Sequence, residues 1–266
     1  MVIGVLVAAA IIVAATFGNR PTGPASASGA PGYYPDEDWG EVAVYTVNPD
    51  GSLDPEPSGL AAQVWDIFER IATPEFAAEV IYEYRVGDSP SSGTLAYVER
   101  GSEPGYWALA DNLATSSDTP YLISTLIHEY AHLLLWSPEQ FEFADECDRL
   151  AFSDGTCALP DAILQDFYER FWVIYGSRAP GPDNDDEDLA SRFYSTYSED
   201  FVSEYAATNV AEDAAETFAA FIIEDIPDPL DSAVAAKMAF VAEYPELLEI
   251  RDRIRAEFGD QLEWRP

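Results

Sequence analysis

Histidine, cysteine and basic side chains are all scarce in this chain of 266 residues, and each shortage narrows what the chain can do. Two histidines are too few for a metal centre built on three imidazoles, so a catalytic metal would have to take its third protein ligand from a carboxylate. Lysine and arginine number 13 against 49 aspartates and glutamates, for a formal charge of −36. A field of that sign repels phosphate, which argues against nucleic acid or an anionic membrane surface as the partner. Most of the individual acidic residues read as serving solubility. Long apolar runs are missing too. The one candidate, residues 2–17, is short for a membrane span and suits the core of a signal peptide.

That N-terminal run has no Lys or Arg before it, and a small-residue site at 25–27 lies rather far downstream. Residues 1–18 therefore read as a signal peptide or as an uncleaved N-terminal anchor, with membrane attachment through 2–17 in the second case. Residues 19–39, rich in Pro, Gly, Ser and Ala, read as a disordered linker, and 40–266 as the folded domain. The two cysteines, Cys147 and Cys157, are even in number and follow an export signal. This favours a structural disulfide over two reduced thiols.

What the chain does have is concentrated at 119–136. Both histidines stand here, four residues apart, with a glutamate directly after the first: His128-Glu129-Tyr130-Ala131-His132. Asp118 or Thr119 can cap a helix, Pro120 suits its first turn, and Leu122, Ile123, Leu126, Ile127, Ala131 and Leu134 recur at helical spacing. On that helix the two imidazoles lie one turn apart, about 6 Å from each other, and can reach one metal ion. Glu129 sits beside them as a base. This is the H-E-x-x-H pattern of zinc metallopeptidases.

Upstream, 41–47 reads as a strand, 58–71 as a helix capped by Ser58, and 79–86 as a second strand. Residues 94–99 and 106–111 form a hairpin just before the motif helix. An edge strand there can pair with an extended peptide, or it can simply cover the core. Downstream the pattern is helical: 160–175, then about 187–204, 210–224, 230–242 and 245–257. The acidic run 183–188 lacks the glycine of an EF-hand and reads as a solvated connection.

The third ligand is sought in the stretch 205–218, where Glu212 and Glu216 are four apart on a helix starting near Asn209. Either can bind the metal while the other orients a ligand histidine. With its Tyr-x-x-Thr-Asn-x-x-Glu-x-x-x-Glu-x-Phe pattern, this stretch and the His-Glu-x-x-His helix together resemble the gluzincin metallopeptidases related to the catalytic domain of anthrax lethal factor. The resemblance implies His128, His132 and Glu212 as ligands of one zinc per chain, and Glu129 as general base. It also implies Tyr205 as the donor to the oxyanion and Glu216 as a supporting carboxylate. Two departures stand out: a long stretch between His132 and Glu212, and Asp213 where an apolar or aromatic residue is expected.

The expected fold is α+β and zincin-like: a small upstream mixed or antiparallel sheet, the motif helix, and a helical C-terminal lobe. The expected function is extracytoplasmic zinc-dependent endopeptidase action on peptides or proteins. The alternative is a catalytically inactive binding protein on the same scaffold at the cell surface, against which stands the presence of Glu129.

Overall fold

The computed structural model describes residues 30–101 and 105–264. The apolar run 2–17 and the site at 25–27 lie outside them. Among the described residues no helix is long and apolar enough to cross a membrane.

The fold is mixed α and β, with one small mixed sheet and a helical C-terminal half. Strands β1 (Gly32–Asp36), β2 (Gly40–Val47), β3 (Leu53–Asp54), β4 (Ile81–Gly87), β5 (Ala96–Arg100) and β6 (Trp107–Asn112) make a sheet of order β1-β2-β4-β6-β5, with β3 paired to β2. All neighbours are antiparallel except β4 and β6. The hairpin of β5 and β6 is the one expected from sequence, and β5 is an edge of the sheet.

One face of the sheet is covered by helices α1 (Leu60–Ala72), α2 (Pro74–Val80) and α3 (Thr119–Leu135). Val64, Trp65, Phe68 and Ile71 of α1 share a core with Tyr84 and Leu109 of the sheet and with Leu122, Ile123, Leu126 and Ile127 of α3. Helix α3 begins as its sequence dictates: Asp118 accepts the Tyr121 N–H and Pro120 occupies the first turn.

Several expected boundaries move. The stretch read as a linker to residue 39 supplies β1 in its last part, registered against β2, and Trp39 is buried with its indole N–H donated to Thr94 O at 3.2 Å. Ser58 does not cap α1. Gly59 does, with φ 62 and no side-chain bond, a backbone setting that glycine takes at little cost. Thr73 ends α1 at φ 85 and at the same time caps α2 by accepting the Phe76 N–H, so the second strand starts at Ile81 rather than 79.

After α3 come a short hairpin, β7 (Phe141–Phe143) with β8 (Thr156–Ala158), and the expected bridge between Cys147 and Cys157. The helix expected over 160–175 is α4 (Ile163–Phe167), which widens into a π-turn over Tyr168–Trp172 and tightens into a 3₁₀ turn over Val173–Arg178. Leu164, Phe167 and Trp172 are buried, whereas Ile174 is 66% exposed because the altered pitch turns it outward. Helices α5 (Glu187–Tyr197), α6 (Val210–Ile223), α7 (Ala233–Val241) and α8 (Pro245–Phe258) complete the lobe, α5 ending well before 204. Helix α6 packs along α3, with Phe218 against Tyr130.

Candidate metal centre

Helices α3 and α6 bring the two sequence motifs together. His128 and His132 project from the same face of α3, with their Nε2 atoms 3.0 Å apart. Oε2 of Glu212, in the first turn of α6, lies 3.1 Å from Nε2 of His128 and 3.3 Å from that of His132. Three donor atoms thus converge from three side chains, and among the described residues they form a group that can hold a metal ion. The chemistry of the set fits a divalent cation, being two imidazole nitrogens and one carboxylate oxygen close enough together to face a single ion.

Glu212 is presented by its helix cap. The Asn209 side chain accepts the N–H groups of Ala211 and Glu212, fixing the start of α6. One turn on, Oε1 of Glu216 lies 2.7 Å from Nδ1 of His128. That contact assigns a proton to Nδ1, so that the neutral ring, the form that binds a metal ion, turns its Nε2 lone pair toward Glu212 and His132. The helical spacing had left open which glutamate faces the centre. In the structure Glu212 does, and Glu216 stands behind His128.

Ser203 is the residue that sequence reasoning missed. Its hydroxyl donates to Oε2 of Glu216 at 2.6 Å and accepts the Ala206 N–H at 3.0 Å. It belongs to no spacing pattern, and only the tertiary contact identifies it.

Glu129 is buried at 6% exposure and lines the same cleft as Val98 of β5. Burial raises its pKa above the ordinary value, against the opposing pull of His128 and His132. For His128, burial opposes the charge but hydrogen bonds to Glu212 and Glu216 outweigh it, so its pKa is raised well above the ordinary value. Glu212 moves the other way. Burial works against its ionisation, yet the two histidines hold its pKa well below the carboxylate range. Tyr205 stands on a 3₁₀ turn, Tyr205–Ala207, with its ring centroid 5.8 Å from that of His128. More than half of the residue's surface is open to solvent, but its hydroxyl end lies among carboxylates: burial, Glu212, Glu129 and Glu216 all raise its pKa.

These side chains line a cleft of about 360 Å³ between α3, α6 and the edge strand β5. Gly101 N–H bonds to Tyr106 O and Asn112 N–H to Leu95 O, so residues 95 and 101 point into the sheet. Alternation then turns the backbone of Ala96, Val98 and Arg100 toward the cleft. The acidic run is solvated from Asp185 to Asp188, but Asp183 stands at the mouth of the cleft. The run is held there by Asn184, which donates to Thr208 O and accepts from Asn209 Nδ2.

Asp213, the unexpected neighbour of Glu212, is fully buried. It accepts from Lys237 and from Trp172 Nε1, each at 2.7 Å. Comparison with protein-family models, with curated proteins and with solved structures gives no match to this chain.

Proposed function

We propose that the chain is an extracytoplasmic zinc-dependent endopeptidase with a zincin-like fold, similar to the gluzincins. One observation carries the reading: Nε2 of His128, Nε2 of His132 and Oε2 of Glu212 face one another within 3.3 Å, while Glu216 occupies the opposite nitrogen of His128. His128, His132 and Glu212 would hold the zinc, which would supply Lewis acidity toward a water and the scissile carbonyl.

The protein's own residues do the rest. Glu129 takes a proton from water on its carboxylate and returns it to the leaving amine. The Tyr205 hydroxyl donates a hydrogen bond to the oxygen on which negative charge develops. Glu216, braced by Ser203, holds the His128 ring in one orientation and one tautomer. The outward backbone of β5 offers an extended peptide a strand to pair with. The Cys147–Cys157 bridge is compatible with an extracellular location.

The test combines metal analysis with a peptide library. Purified protein is expected to carry one zinc per chain, and His128→Ala and His132→Ala to lose it. Glu129→Gln is expected to keep the metal and lose hydrolysis, because only the proton acceptor is removed. A well-folded wild type that refuses added zinc, or a zinc-loaded one that cleaves no peptide, defeats the reading.

A further inference from the structure

The cleft continues past His132 into a part that the reaction just described does not use. Trp136 follows His132 by one helical turn, and their ring centroids are 5.7 Å apart. Trp136 packs on Phe152 at 4.9 Å, and both line the cleft. Immediately after Phe152, the Ser153 N–H donates to Oδ2 of Asp183 at 2.8 Å, which seats that carboxylate at the edge of the aromatic surface. A second carboxylate, Asp154, is already taken. Arg100 Nη1 lies 2.7 Å from its Oδ2 and donates also to Thr156, while the guanidinium covers Trp107 at 5.3 Å. The charge of Arg100 is thereby committed, and among the described residues no cation pairs with Asp183.

We propose that this part of the cleft is a pocket for a lysine or arginine side chain of the peptide, next to the bond that is cut. It rests on the peptidase reading. The methylene stem lies on Trp136 and Phe152, and the cationic head reaches Asp183 at the mouth. Aromatic faces suit both halves of such a side chain, the stem through apolar contact and the head through attraction to the ring. A glutamate in the same place would meet Asp183 and the field of a chain carrying −36. A neutral apolar side chain would cover the rings but bring Asp183 no cation. The acidic run after α4 thus has a use: it delivers one carboxylate to the cleft.

The test uses the full chain loaded with zinc and a set of quenched fluorescent peptides, alike except at one of the two residues flanking the cleaved bond. Arginine, lysine, glutamine, norleucine and glutamate are compared there. Arginine and lysine are expected to exceed glutamine and norleucine in kcat/KM by about tenfold, with glutamate poorest. Asp183→Asn is expected to shrink the arginine-to-glutamine ratio by about fivefold, as an exposed ion pair would allow. Trp136→Ala is expected to lower arginine and norleucine peptides together. Uniform cleavage across the set, or a preference for norleucine that Asp183→Asn leaves untouched, overturns the pocket while leaving hydrolysis intact. If wild type cleaves none of the peptides, the hydrolytic reading fails, and calorimetric binding of the same peptides to Glu129→Gln decides the pocket. Selection of arginine that depends on Asp183 upholds it, and no selection overturns it.

Discussion

Oδ2 of Asp213 lies 2.7 Å from Nζ of Lys237, and neither side chain has more than 1% of its surface open to water. Lys237 also donates to Asp200 O at 2.7 Å and faces the ring of Phe201 at 4.1 Å. The pair therefore ties the first turn of α6, which carries Glu212, to α7 and to the turn that leads into Ser203 and Tyr205.

Breaking that pair leaves a charge in the core without its counterpart. Lys237→Met is expected to cost about 3–5 kcal/mol of unfolding free energy, measured by denaturant titration. The double change Asp213→Leu with Lys237→Met is expected to recover most of that loss, because neither charge then has to be buried. A double variant no more stable than Lys237→Met would mean that the network specifies the packing rather than merely tolerating its own charges.

Most of this region was legible in the sequence only as helix. The spacing of α3 and α6, their caps and the two paired motifs all declare themselves locally, and the structure places them together. What the sequence hides is what depends on distant partners. Asp213 reads only as a departure from the family pattern until Lys237 is beside it, and Ser203 has no pattern at all. Composition misleads at β1, where Gly, Pro and Asp suggest a linker but pairing with β2 orders the backbone. Thr73 closes α1 and also starts the next helix, so a reading that passes from a helix over 58–71 to a strand over 79–86 misses α2.

Asp111 sits at the end of β6 with 1% exposure. One carboxylate oxygen accepts from Ser116, and the other is among the buried atoms without a partner. Burial pushes its pKa up to about 7, with Ser116 opposing the shift and Glu129 adding to it. The folded value is above the unfolded one, near 3.9. Between about pH 4 and 7 the folded chain therefore keeps a proton that the unfolded chain has lost, and stability falls as pH rises through that window. Asp111→Asn is expected to flatten this fall and to gain on wild type above pH 7 by on the order of a few kcal/mol. Parallel pH–stability curves for the two proteins would remove Asp111 as the cause.

The bridge between Cys147 and Cys157 encloses Phe152 and Asp154, two residues of the cleft. Replacing both cysteines with serine is expected to lower stability by about 2–3 kcal/mol in the chain-entropy view. Protein from its native compartment should give one linked peptide pair by mass spectrometry without reductant. Two freely alkylated thiols would remove the bridge and weaken the case for export.

The downstream motif separates into three roles that three variants can tell apart. Glu212 supplies a donor atom to the centre, so Glu212→Ala is expected to lose zinc and activity together. Glu216 touches only the far nitrogen of His128 and is itself held by Ser203, so its loss frees a ring without removing a ligand. Glu216→Ala is expected to cost roughly 10–100-fold in zinc affinity or rate. Ser203→Ala is expected to act in the same direction but less, because the carboxylate it steadies remains. Tyr205 lines the cleft with its ring centroid 5.8 Å from that of His128. Tyr205→Phe should keep zinc and KM while lowering kcat, on the order of 100-fold for a lost oxyanion donor. Zinc titrations of Glu212→Ala and Glu216→Ala are the deciding measurement. Helical spacing alone permits either residue to face the metal; the contacts of Glu212 with Nε2 of both histidines and of Glu216 with Nδ1 of His128 set them apart. Metal lost from Glu216→Ala but kept by Glu212→Ala would exchange the two roles, and with them the orientation of His128.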